Sequence, residues 1–184
     1  MMKQFSLLLG LAFYLCTAQA QPSAIHLDPD AKFKQAEEYF IHGQYTLALP
    51  ILRSLDQQMQ APDADRQSLH TDDIHFYLYS CQLLDDENSA VEPAKEYINS
   101  INNQARVQQL SFYLGDYYYR RQDFAKALTY LENAGIANLS NEEIGKEKFE
   151  LGYAYFNEKQ YAKAEPLLGA IRQVTTDPNY VAAN

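Results

Sequence analysis

The side chains best able to do chemistry gather in one run, His70-Thr71-Asp72-Asp73-Ile74-His75. Two imidazoles and two carboxylates are donors that a zinc-type ion accepts. Their spacing argues against it, because residues five apart on a helix do not share a face. Thr71 or Asp72 is better explained as a helix N-cap, and a metalloenzyme would need His70 and His75 to converge. Asp85-Asp86-Glu87-Asn88 resembles a calcium loop in composition only; it lacks the glycine and the ligand spacing, so a solvated turn is expected. Cys81 lies in the apolar run Leu78–Leu84, where a buried small hydrophobe fits better than a reactive thiol. Tyr117, Tyr118 and Tyr119 point three ways on a helix, so no more than one or two can be core. Tyr117 is the best candidate for an exposed contact. No Gly-rich phosphate loop, His-Glu-x-x-His or Gly-x-Ser-x-Gly occurs. The expectation is a chain that is not an enzyme and carries no metal or cofactor.

The elements that position these residues are helical. Apolar residues recur at helical spacing, glycine and proline are sparse, and no alternating run reads as a strand. All-α is the fold class. Residues 1–20 read as a secretory signal: Lys3, an apolar run from Phe5 to Leu15, then Ala18-Gln19-Ala20 as cleavage site. That run falls short of the roughly 20 residues that span a bilayer, although an uncleaved N-terminal anchor is the competing reading. The expected location is therefore exported, periplasmic or envelope-associated. Without the leader the chain carries 24 acidic and 14 basic residues, a formal charge of −10. Nucleic acid is disfavoured as partner, since a phosphate backbone demands a basic footprint, and membrane contact is expected only indirectly. Cys81 is then the one remaining cysteine, so no intramolecular disulfide supports the fold.

Three segments align with little adjustment. They are Ala36-x-x-Tyr39-x-x-x-Gly43-x-Tyr45-x-x-Ala48, Gly115-x-x-Tyr118-x-x-x-Gln122-x-Phe124-x-x-Ala127, and Gly152-x-x-Tyr155-x-x-x-Lys159-x-Tyr161-x-x-Ala164, each with a leucine four residues on. A weaker fourth unit puts Tyr79 and Gln82 in the first helix, carries about three extra residues across Asp85–Ala90, and resumes at Ala94. The pattern resembles the tetratricopeptide repeat, a helix–turn–helix of about 34 residues with small and aromatic residues at these places. The repeat's tryptophan is absent; Lys32, His75, Ser111 and Lys148 stand there. The resemblance implies a right-handed α-solenoid of about four units: residues 29–60, 72–103, 108–139 and 145–176, after a linker at 21–28. Residues 177–184 begin a further helix at Asp177-Pro178, expected to be either part of a longer array or a short cap. Asp28-Pro29 fits a helix start, Pro50 and Pro166 fall near the first turn of second helices, and residue 141 fits another start. Gln57–Thr71 is expected to be a long loop.

Short helices of this length are weak alone in water and gain stability by stacking. The resemblance further implies that the first helix of each pair lines a concave surface. Phe33, Phe76, Phe112 and Phe149 occupy one such position; Phe40, Leu83, Tyr119 and Phe156 occupy a second, with Glu37, Asp116 and Tyr153 beside them. An aromatic and acidic groove for an amphipathic helix or a basic extended peptide is the functional expectation. The competing reading makes most of these rings core. A clamp for C-terminal carboxylates is disfavoured, because phenylalanine and acids replace the cations it needs. The expected partner is a protein or peptide, with no small-molecule substrate. The alternative is the N-terminal recognition portion of a longer enzyme or sensor.

Overall fold

Three- and four-residue apolar spacing becomes helix throughout the described chain. The computed structural model describes residues 28–61 and 71–173, with Pro178 and Ala182. The helices are α1 (Pro29–Ile41), α2 (Tyr45–Met59), α3 (Thr71–Leu84), α4 (Val91–Ser100), α5 (Gln104–Arg120), α6 (Phe124–Ala134), α7 (Asn141–Asn157) and α8 (Tyr161–Arg172), with a 3-10 turn, Asn88–Ala90, before α4. No strand occurs among the described residues, and no helix among them is long and apolar enough to cross a membrane. The expected leader, the linker up to residue 27, His70 and most of 177–184 lie outside the described residues.

Helix starts follow local chemistry. Pro29 opens α1 after Asp28, whose side chain nevertheless makes no capping bond. Asn103 caps α5 and Asp123 caps α6 through their side-chain oxygens. Ser140 begins α7 in a reciprocal capping box with Glu143, which satisfies two amide donors at once. Thr71 and Asp72 lie inside the first turn of α3, so neither precedes the helix as its cap. Pro50 and Pro166 sit at the sixth position of α2 and α8 and not in the first turn. Each therefore removes one i→i−4 hydrogen bond. The expected loop at 57–71 also starts late: α2 continues to Met59 because Leu52, Leu55 and Met59 keep its apolar face going, and Met59 is buried. Residues 62–70 lie outside the described residues.

Four turns join α1 to α2, α3 to α4, α5 to α6 and α7 to α8, and they close alike. Gly43, Asp86, Gln122 and Lys159 each take a positive φ, between 60° and 69°. The following amide donates to the carbonyl five residues back: Gln44 to Tyr39, Glu87 to Gln82, Asp123 to Tyr118 and Gln160 to Tyr155, at 2.8–3.1 Å. This is a Schellman closure. After it the next helix begins two residues beyond the left-handed one, except after Asp86, where the 3-10 turn intervenes.

Packing explains the small residues. A Cβ built on Gly115 would stand 2.6 Å from Leu131 side-chain atoms, and one on Gly152 would stand 3.0 Å from those of Leu168. Helix backbones approach there because nothing projects between them. Ala36, Ala48, Ala127 and Ala164 are all buried in the same contacts. Tyr118 stacks on Tyr130 across α5 and α6, ring centroids 5.7 Å apart. Each helix packs on the next in the chain; α3 also touches α1 and α5, and α5 touches α7. The largest cluster of buried residues joins α3, α4, α5 and α6 around Phe76, Leu83, Tyr97, Phe112, Leu114 and Leu131. Burying each such side chain contributes about 1.5–3 kcal/mol.

Candidate functional site

Two clefts run between the first helices of the four pairs, and they share Lys146 and Glu142. The first, about 650 Å³, is lined by Phe40, Ile41 and Tyr45 from one end of the chain and by Phe112, Tyr113, Glu142 and Glu143 from the other. The second, about 330 Å³, is bounded by Tyr119, Lys146, Phe149 and Glu150, with Pro178 at its edge.

Aromatic rings hold these walls in place. Phe40 lies edge-on to Tyr77 at 5.0 Å and to Tyr113 at 6.2 Å. Tyr113 donates to Glu143 Oε1 at 3.0 Å, while Glu143 Oε2 accepts from the amide of Ser140. One glutamate thus caps α7 and anchors a ring of α5. Tyr119 meets Tyr153 at 5.9 Å and Phe149 at 6.5 Å, and Phe149 stacks on Tyr153 at 5.9 Å. Burial, and after it the charges of Glu150, Tyr153 and Asp116, pushes the Tyr119 hydroxyl up to about 12. It stays protonated and is a donor at neutral pH.

The expected groove residues divide sharply. Phe76, Leu83, Phe112 and Asp116 are buried and serve the packing between helices. Phe76 lies under the Arg106 guanidinium at 4.7 Å. These four therefore offer a partner little surface. Phe33, Phe40, Tyr119 and Phe149 are half-buried, while Tyr153 and Phe156 are 38% and 52% exposed. Phe33 packs on Tyr77, and the Tyr77 hydroxyl donates to Glu37 at 2.8 Å. Phe33 and Glu37 line a separate cleft with Asp30, Lys34 and Asp73, so they are not brought together with Tyr119 and Phe149. Phe156 pairs with Tyr161 on the surface of the last pair.

Tyr117 corrects the reading of its own run. It is 1% exposed, donates to Asn88 Oδ1 at 2.8 Å and lies beneath the Arg121 guanidinium. The 3-10 turn before α4 gives it a polar partner inside the protein, and that turn removes it from the surface. Cys81 is buried, and burial, with Asp85 nearby, pushes its thiol up to about 12. His75 Nε2 lies 3.0 Å from Asp56 Oδ1, and its ring stacks on Tyr79.

Spacing on one helix hid the polar floor of the second cleft. Asp116 is 1% exposed; Arg120 Nε donates to its Oδ2 at 3.1 Å, and Lys146 Nζ stands 2.6 Å from its Oδ1. Lys146 also lies 3.7 Å from Glu150 Oε1. Glu150 is 3% exposed; its Oε2 and Asp116 Oδ1 are both buried and lack a hydrogen-bond partner while both groups are ionised, and a protonated Glu150 hydrogen-bonds Asp116. Burial, followed by the charge of Asp116, pushes the Glu150 carboxyl up to about 9 against the opposing pull of Lys146 and Arg120. Asp116 with Arg120 and Lys146 with Glu150 are visible in the sequence as pairs four apart. Only the packing of α5 on α7 makes them one cluster.

Compared with family models, with curated proteins and with solved structures, the chain finds no match in any of the three.

Proposed function

We propose that this chain is an exported binding module of tetratricopeptide type. Its four helix pairs, spanning about 29–176, form a right-handed solenoid whose first helices face a peptide or an amphipathic helix of a partner protein. The observation that carries the reading is the pair of adjoining clefts, walled by Phe40, Tyr45 and Tyr113 on one side and by Tyr119 and Phe149 on the other. Rigid rings with a polar tip supply contact area at low entropic cost. The four turns with the same closing hydrogen bond and the Gly115–Leu131 and Gly152–Leu168 approaches support the repeat reading. An acidic chain, formal charge −9, favours basic peptides over nucleic acid.

The test is an array of synthetic amphipathic peptides, basic and acidic, probed with the purified chain. Basic members should bind. Phe40→Ala and Phe149→Ala should weaken binding by about tenfold with helical content retained, in line with loss of an anchor residue. Retention of no peptide, or binding by both variants as tight as by the parent, sinks the proposal. Export is tested separately, by fusing residues 1–20 to a reporter that is active only outside the cytoplasm.

A further inference from the structure

Helix α7 walls both clefts, yet the face it turns toward α5 and α6 is acidic where its counterparts are apolar. In the aligned register Ile74, Leu110 and Glu147 are equivalent, and so are Tyr77, Tyr113 and Glu150. Ile74 and Leu110 are core residues, 1% and 0% exposed, and Glu147 is nearly as deep at 5%. Glu150 meets Asp116 of α5, and the two carboxyl groups share a hydrogen bond only while Glu150 keeps its proton. Around them the attachment of the fourth pair is local. Helix α8 packs on α7 and reaches α6 through Lys163 and Glu132 at 3.3 Å. Leu128 of α6 packs with Ala154, Tyr155 and Ala164, and the hydroxyls of Tyr113 and Tyr155 bond Glu143 and Glu132 across the same seam.

We propose that α7 and α8 undock from α5 and α6 as one unit when the carboxyl groups buried in this seam ionise, removing the wall that the two clefts share. A carboxylate buried without enough donors is costly, and separation of the helices returns it to water. Glu147 and Glu150 are the groups concerned. Burial raises the Glu147 carboxyl above its ordinary value against Lys148, with the Tyr155 hydroxyl its other titratable neighbour and Glu132 of α6 bonded to that hydroxyl. Glu150 faces Asp116, Arg120 and Tyr119 from α5 and Lys146 on its own helix. The docked state holds more protons than the undocked one, so docking is firmest near pH 4.5 and weakens as pH rises toward 9. A terminal pair in a stacked array has neighbours on one side and is the unit most able to open by itself. That the opening would also empty the groove is the one consequence that rests on the peptide-groove reading.

The experiment is amide hydrogen exchange of the purified full chain, followed by mass spectrometry at pH 5 and pH 8 and corrected for intrinsic exchange rates. Peptide fragments from α7 and α8 report the seam, and those from α5 and α6 serve as reference. Protection of α7 and α8 should fall together by at least about tenfold from pH 5 to pH 8, to a value below that of α5 and α6. Glu147→Leu with Glu150→Gln supplies the residue type of Leu110 and a donor to Asp116 that cannot ionise. It should hold α7 and α8 at pH 8 near their protection at pH 5. Glu150→Gln alone, the milder change, should recover about threefold, and it keeps the test decisive if the double variant does not fold. Unchanged protection of α7 and α8 between the two pH values overturns the proposal. So does equal protection of all four helices at pH 8, or the full fall persisting in Glu150→Gln. No peptide enters the measurement, so loss of the groove reading leaves the undocking intact, and loss of the undocking leaves a groove with a fixed wall.

Discussion

The third and fourth helix pairs carry the same residue pattern and use it differently. In α5 every residue from Leu110 to Tyr118 is buried; in α7 the buried residues are only Glu147, Glu150, Gly152, Ala154 and Tyr155. Their neighbours account for this. Among the described residues, helix α5 packs against α3, α4, α6 and α7, whereas α7 packs against α5, α6 and α8. Burial at corresponding positions of the two pairs is thus set by the neighbouring helices as much as by residue type. Equivalent aromatic residues are core in α5 and more exposed in α7: Phe112 is buried, whereas Phe149 is half-buried.

The largest effect that separates the two pairs is ring truncation. Phe112→Ala removes a side chain that is 2% exposed and should cost about 3–5 kcal/mol. Phe156→Ala, with only Tyr161 as ring partner, should cost less than about 1 kcal/mol. Urea unfolding followed by circular dichroism measures both. Similar losses at the two positions would break the comparison.

The close helix approaches give the next largest contrast. Gly115→Ala drives a Cβ to 2.6 Å from Leu131, itself buried, and to 3.2 Å from its backbone nitrogen; a loss of about 1–3 kcal/mol is expected. Gly152→Ala meets Leu168 at 3.0 Å and Leu167 at 3.1 Å, both half-buried and able to yield. The gain of about 1 kcal/mol from placing alanine in a helix interior then offsets most of the clash. A midpoint shift for Gly152→Ala as large as that for Gly115→Ala would place the fourth pair's packing on a par with the third.

Glu150 joins the two pairs, and its titration gives the joint a pH dependence. Its folded pKa, about 9, lies above the ordinary value of 4.5, so the folded state binds more protons between those limits. Stability contributed by the neutral acid is full below pH 4.5 and declines as pH rises toward 9. Glu150→Gln cannot ionise. It should be more stable than the parent by about 1–2 kcal/mol at pH 8, with the difference vanishing near pH 5. Parallel stability curves for the two proteins from pH 5 to 8 would show that Glu150 is ionised throughout.

How much of this was legible in the sequence depends on the range of the interaction. Helix pairing, small-residue contacts and the turn positions are local, recurring at fixed offsets, and they could be read from Gly115 with Leu131 or Tyr155 with Lys159. The second pair was legible to within its insertion: Asp86 takes the left-handed position, and the three added residues are the 3-10 turn. Tyr117 could not be placed, because its burial comes from that turn and from Arg121. Neither follows from helical periodicity. The residues expected in a groove fall into buried and part-exposed sets that the sequence does not separate. Register identified which side chains face the next pair, but not which of them the next pair covers, and so Phe112 and Asp116 were counted with Tyr119 and Phe149. The Asp116–Lys146–Glu150 cluster needs two helices in contact and has no one-dimensional trace beyond its i,i+4 pairs.

The smallest contrast lies in the turns, where one geometry is served by four different residues. Gly43 holds φ 69° without strain, and a Cβ there would meet nothing within 4 Å. Gly43→Ala therefore isolates the cost of the left-handed conformation, about 1 kcal/mol. Lys159 holds φ 60° with a Cβ, so Lys159→Gly relieves that cost, reduced by the extra freedom glycine gives the unfolded chain. A net gain of about 0.5 kcal/mol is expected, and Gln122→Gly should behave alike. Asp86→Gly should not. Its carboxylate binds Arg120 and Arg121, tying the turn of the second pair to that of the third, so relief of backbone strain there is outweighed by lost ion pairing. Thermal unfolding of the four variants should rank Lys159→Gly and Gln122→Gly above the parent, with Asp86→Gly and Gly43→Ala below it. If Asp86→Gly rises with the other two, the ion pairs of Asp86 with Arg120 and Arg121 contribute nothing to holding the second pair on the third.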